Sequence, residues 1–166
     1  MPNKESRFRA KMVEMDFVEA NKGKTALVDA TGAVAGRLAS YLAKRLLRGE
    51  TIVVLNSEKA IVSGDVDAVK ARYDFKTTVG TRRKGPFPSR MPHLMLKRTV
   101  RGMMPYQRPN GRAALKRLMC HIGVPPEFAG QKAERIEDAV RPIHNGMTLA
   151  EISQFLGKTV EVNHPG

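Results

Sequence analysis

Tryptophan is absent from this sequence, cysteine occurs once, at Cys120, and only 5% of the residues are aromatic. A single cysteine rules out an intrachain disulfide, and with it the stapled frameworks of small secreted domains, so a reduced intracellular setting is expected. No apolar run approaches the roughly 18 residues needed to cross a bilayer. The start, MPNKESRFRAKM, lacks the apolar centre of a signal peptide. A soluble, cytoplasmic protein is therefore expected. The most telling shortage is local: between Asp74 and Glu127 there is no acidic residue at all.

That gap holds 12 of the chain's 29 lysines and arginines: Lys76, Arg82, Arg83, Lys84, Arg90, Lys97, Arg98, Arg101, Arg108, Arg112, Lys116 and Arg117. Outside it, the other 17 face all 16 acids, so the net charge of +13 comes almost wholly from one segment of a nearly neutral chain. Two unit charges about 8 Å apart at an effective dielectric near 20 repel by roughly 2 kcal/mol before screening. Many such pairs oppose compaction unless anions sit between them. A polyanionic partner is the direct reading. Phe87 and Tyr106 add faces on which an unstacked base can lie, and glycines and prolines let the backbone enter a crowded groove.

With 166 residues and 42% apolar content, the chain is long and apolar enough for one folded domain. Residues 1–24 read as an N-terminal extension, and 25–166 as a single α/β domain carrying a basic insert at 75–126. The stretch VEMDFVEANKGKTALVDA is compatible with two strands joined at Asn21–Lys24. TALVDA reads as a buried strand, and TGAVAG as a turn into a helix from about Val34 to Arg48. Val34, Leu38, Leu42 and Leu46 would line its core face, with Arg37, Lys44 and Arg48 together on another. TIVVLN has the β-branched density of a central strand, AIVSG follows as a second short run, and a helix is expected from Asp65 to Tyr73. Strand, helix, strand in this order implies a parallel sheet covered by helices.

Inside the insert, helices are expected at Pro92–Met104 (stripe Leu96, Val100, Met103, Met104) and Gly111–Ile122 (stripe Leu115, Leu118, Met119, Ile122). Near the end, Thr148 and Glu151 have the spacing of a capping box, opening a helix with Leu149, Ile152 and Phe155 inward.

Catalytic chemistry finds little footing. The turn TGAVAGR follows a strand but lacks the lysine and hydroxyl of a phosphate loop and fails the dinucleotide pattern, so Gly32 and Gly36 are read as close-packing residues. His93, His121, His144 and His164 are not spaced as metal ligands, and Cys120–His121 is no zinc motif. Asp65 and Asp67 suit a helix start, and the methionines of the insert suit core filling. No catalytic residue, metal or cofactor is expected. The two insert helices loosely fit a helix-turn-helix, but the connection PYQRPNG is longer than its usual turn, and irregular basic loops suit folded RNA better than a regular major groove.

The stretches VDATGAVAGRLASYLAKRLLRG and TIVVLNSEKAIVSG, then GPFPSRMPHLMLKRTVRGMMP and GRAALKRLMCHIGVPP, resemble the L-thirteen family of large-subunit ribosomal proteins in its archaeal style. The resemblance covers about Val28 to Pro126. It implies a three-layer α/β/α fold around a four-stranded parallel sheet with a basic helical and loop insert. It also implies a structural, non-enzymatic role in the large subunit, contact with ribosomal RNA and neighbouring ribosomal proteins, and early action in assembly. No membrane or small-molecule substrate is implied. By position, its RNA-facing segment falls on Arg82, Arg83, Lys84, Arg90, Lys97, Arg98, Arg101, Arg108, Arg112, Lys116 and Arg117, and Arg37 matches the arginine of the GRLAS turn. Lys44, Arg48, Phe87 and Tyr106 complete the expected RNA-binding set. The alternatives are a DNA-binding regulator and a nucleotide-binding enzyme.

Overall fold

The computed structural model describes residues 25–81 and 83–158. The expected strand pair about Asn21–Lys24 falls mostly outside them; its last part is β1 (Thr25–Asp29). β1 pairs in parallel with β2 (Thr51–Leu55), from Thr25 opposite Thr51 to Asp29 opposite Leu55. Parallel neighbours cannot be joined by a tight turn. Helix α1 (Ala35–Leu47) supplies the crossover, and its expected ends hold to within one residue. Leu38, Leu42 and Leu46 are fully buried, with Ala35, Ala39 and Ala43 beside them. Gly49, in the left-handed region at φ 99°, turns the chain back toward the sheet.

Ile52, Val53, Val54 and Leu55 are all buried, the pattern of a strand covered on both faces. β2 lies between β1 and β4 (Leu118–Cys120), while β5 (Glu134–Arg135) lies beyond β1, giving the order β4-β2-β1-β5 with every pairing parallel. The fold is the expected three-layer α/β/α arrangement around a four-stranded parallel sheet. β3 (Ile61–Ser63) leaves this sheet and pairs antiparallel with β6 (Gly146–Thr148).

Helix α2 (Val66–Thr78) starts where Asp65 accepts a hydrogen bond from the Ala68 amide and runs five residues past its expected end at Tyr73. Only Val69 is fully within the core on this helix; Val66 and Tyr73 pack partly against it. α3 (Pro92–Gly102) packs against both α1 and β4. α4 (Pro109–Lys116) packs on α1. In α5 (Leu149–Phe155) both hydrogen bonds of the capping box are made, at 2.9 and 3.2 Å.

Three expectations need correction. The helix expected through Ile122 stops at Lys116, because Leu118, Met119 and Cys120 pair with Ile52, Val53 and Val54 to form the edge strand. Strand pairing to a distant segment outweighs a local apolar spacing that also fits a helix. Phe155, expected inward, is 47% exposed under the Lys70 ammonium, and Leu156 fills the core instead. Met103 likewise faces out while Met104 is buried.

Arg117 sits at the helix-to-strand switch. Its guanidinium donates at 2.8 Å to the Leu46 carbonyl in the last turn of α1, where a cation also meets the negative end of the helix dipole. Its own carbonyl accepts the Ile52 amide at 3.1 Å. Arg117→Met, which keeps the apolar stem, is expected to lower unfolding free energy by about 1–2 kcal/mol in a urea titration. An unchanged midpoint would show that the Leu46 contact contributes nothing.

Candidate nucleic-acid interface

The acid-free span supplies a strand and two helices to the packed body, so its cations ride on rigid supports. Residues at i, i+4 and i+8 share one side of a helix, which brings Arg108, Arg112 and Lys116 into a row along α4. Arg98 and Arg101 are exposed on α3. Neither helix has an acid in its first turn, and α4 carries Arg108 at its N-cap. A cation there opposes the helix dipole by about 0.3–1 kcal/mol. Stability alone would favour aspartate or serine at that position.

The turn after α2 is the other support. The Thr81 and Gly85 backbones exchange hydrogen bonds of 3.3 and 2.9 Å, and the Lys84 amide donates to the Thr81 hydroxyl. Gly80 is indispensable to this turn: at φ 111° an added Cβ would lie 2.6 Å from Pro86 Cδ and against the Gly85 carbonyl. Arg83 and Lys84 are exposed on it, and Phe87 follows at 73% exposure. Arg82 lies outside the described residues.

Ion pairs join Arg45 to Glu50 and Glu134, at 2.6 and 2.7 Å, and no described cation of the span has a carboxylate partner among the described residues. Several make single bonds to carbonyls. Arg90 donates to Leu156 and Arg112 to Gln107, and each guanidinium keeps further N–H groups for an outside acceptor. Arg101 lies over the Tyr106 ring at 4.7 Å, covering one of the faces expected to take a base. Lys97 and Arg117 turn inward, to the carbonyls of Leu118 and Leu46. On α1, Arg37, Lys44 and Arg48 are exposed, at some distance along the chain from the rest.

Sequence reasoning passed over Arg72 and left Lys76 off the contact list. Both stand on α2, four residues apart, facing Arg98 across a cleft. Burial, then the charges of Arg72 and Arg98, push the Lys76 ammonium below its usual pKa. The signal that could have found Arg72 is this i, i+4 pairing; it was hidden because Asp74 marks the edge of the acid-free span.

The first four residues of the TGAVAGR turn offer no free amide to a phosphate. The amides of residues 30–34 donate to Leu55, Asp29, Lys59, Ala30 and Ala139 in turn. Burial alone would raise Asp29, but hydrogen bonds from Asn56 and Thr31 and the charge of Lys59 outweigh it and hold the carboxyl below its usual range. Gly32 is needed for its φ of 70°, whereas an added Cβ on Gly36 meets nothing within 4 Å, so close packing does not explain that glycine. Burial pushes the Cys120 thiol up to about 12, leaving it inert as a nucleophile at neutral pH. Among the described residues, no three His, Cys, Asp or Glu side chains gather as a metal would need, and no helix is long and apolar enough to cross a membrane.

The α/β body thus carries a cationic flank whose described members from the acid-free span have no carboxylate partner among the described residues. Comparison with known proteins adds the family. Residues 23–127 match ribosomal protein L13. The large ribosomal subunit protein uL13 of Archaeoglobus fulgidus is 47% identical over 135 residues, 79% of this chain and 86% of that protein. Those of Methanopyrus kandleri and Methanosphaera stadtmanae are 43% and 42% identical over 136 residues, covering 86% and 96% of their lengths. The chain belongs to the ribosomal protein L13 family, in its archaeal type, a family of structural rather than enzymatic constituents of the large ribosomal subunit. Membership places it with the ribosome, in the cytoplasm.

Proposed function

We propose that this chain binds ribosomal RNA through its acid-free span and joins the large subunit early in assembly. In this reading, residues 25–166 act as one unit and the α/β body is the platform. The turn at 81–85, α3 and α4 neutralise phosphates on more than one RNA helix and hold them together. The observation that supports this most is the absence of any carboxylate partner for the span's described cations, although they stand on ordered helices and a fixed turn. Phosphate contacts position such a protein, while Phe87 and the glycine and proline loops fit local RNA shape. Neighbouring large-subunit proteins are the expected protein partners.

The DNA-regulator alternative is weakened by the second helix of its supposed motif, which ends at Lys116 after eight residues and passes into a strand. The nucleotide-enzyme alternative is weakened by the occupied amides of Thr31, Gly32, Ala33 and Val34 in the TGAVAGR turn.

Replacing Arg82, Arg83 and Lys84 together with alanine should remove three cations available to RNA, of which Arg83 and Lys84 are exposed. Tagged protein expressed in cells is then followed by gradient sedimentation. Most of the variant is expected to leave the large-subunit fractions, and incorporation equal to wild type would count against the assignment.

A further inference from the structure

A cavity of about 280 Å³ opens between α2, the Pro88–Ser89 stretch and α3, and of its lining only Arg98 belongs to the set expected from the sequence to meet RNA. Its interior is mostly apolar, with Tyr73, Pro88 and Met95 among the walls, while Arg72, Lys76 and Arg98 border it. No acid lines it. Two of the hydroxyl protons present are already engaged, since Thr77 donates to the Asp74 carbonyl and Thr99 to the Met95 carbonyl, while Ser89 accepts the Met91 amide.

These features select a ligand by elimination. An uncharged apolar molecule would leave three clustered cations with no counter-charge. A free inorganic anion would leave the apolar walls uncovered. A molecule with a flat, largely apolar body and a phosphate attached satisfies both. We infer that this cleft receives one unstacked nucleotide of the RNA, its base against Tyr73, Pro88 and Met95 and its phosphate among Arg72, Lys76 and Arg98. This rests on the RNA-binding reading and adds a defined base pocket to it. The Lys76 ammonium lies 5.1 Å from the centre of the Tyr73 ring and is pushed down by burial and by its two cationic neighbours, strain that an arriving phosphate relieves. The walls that would meet the base are mostly apolar, and stacking on them does not depend on base identity, so the pocket accepts any base that can leave its stack.

Methionine-methyl NMR on the full chain tests this, with nucleoside monophosphates and inorganic phosphate as separate probes. Met95 lines the cleft, whereas Met119 is exposed on the edge strand and serves as the internal control. The expected result is a saturable shift of the Met95 methyl with nucleotides, larger than with phosphate and absent at Met119. In Lys76→Glu/Arg98→Glu the affinity should fall at least about tenfold, the equivalent of 1.4 kcal/mol. Equal shifts with inorganic phosphate would reduce the cleft to an anion clamp and overturn the base pocket, as would no shift at all. Either result combined with normal sedimentation in the large subunit would remove the pocket and leave the ribosomal reading standing. Loss of sedimentation in the wild-type chain would remove the ribosomal reading itself.

Discussion

Raising salt from about 50 to about 200 mM is expected to weaken binding of the full chain to its ribosomal RNA by about a thousandfold. Arg83, Lys84, Arg90, Arg98, Arg101, Arg108, Arg112 and Lys116 are exposed and have no carboxylate partner among the described residues. If about six of them meet phosphates, log K falls with log salt at a slope near −5 on duplex, and somewhat less steeply on single strands. Each alanine in the α4 row should take about 0.7–0.9 off that slope. Arg117→Met supplies the contrast, because that guanidinium turns inward to the Leu46 carbonyl and away from an outside phosphate: stability should fall while the slope holds. Fluorescence anisotropy over a series of potassium chloride concentrations measures all of this. A slope near −1 in the wild type would mean that the charge excess is not spent on phosphate.

The parts of the fold legible in the sequence are those whose signal is local. β1, α1 and β2 each announce themselves through a run of β-branched residues, a four-residue leucine spacing or a terminal glycine. α5 does so through its cap. What escaped depends on distant partners. Leu115, Leu118, Met119 and Ile122 fit a helix as well as anything nearby can show, and only the free edge of β2, some 65 residues earlier, makes a strand of the middle pair. Phe155 and Leu156 are adjacent apolar residues, and which one enters the core is set by the helix ending between them.

The cationic site was legible for a different reason: charge needs no geometry to be counted. Direction does need it. Lys97 and Arg117 look like their neighbours in sequence, yet each reaches a backbone carbonyl across the fold, and no spacing rule separates them from Arg98 or Lys116. Arg72 shows the reverse error. A boundary drawn at the nearest acid excluded a residue that the turn of α2 places beside Lys76. The glycines divide in the same way, since Gly36 and Gly111 are indistinguishable by composition and opposite in surroundings.

That opposition yields the largest stability effect expected of a single methyl group. Replacing a helical glycine by alanine ordinarily stabilises by up to about 1 kcal/mol, since alanine loses less backbone freedom on folding. Gly36, open on α1, should follow this rule. Gly111 should invert it. It is buried in α4, where an added Cβ would lie 2.5 Å from the Pro105 carbonyl carbon and 2.9 Å from the Tyr106 nitrogen, with the Pro105 oxygen closer still. Those atoms cannot swing aside like the end of a side chain, and the Pro105 carbonyl is further fixed by accepting the Arg108 amide at 3.0 Å. α4 must instead lift away, taking buried Ala114 out of its contacts. Overpacking of this kind is expected to cost about 3 kcal/mol. At about 2–4 °C per kcal/mol for a chain of this size, Tm should fall by roughly 6–12 °C, while Gly36→Ala holds or raises it. Calorimetry on the two variants decides the point, and a Gly111→Ala protein as stable as wild type would show that α4 is not seated on the Pro105 turn. Arg108, Arg112 and Lys116 ride on the displaced helix, so RNA affinity should drop well below the temperature at which the fold itself is lost.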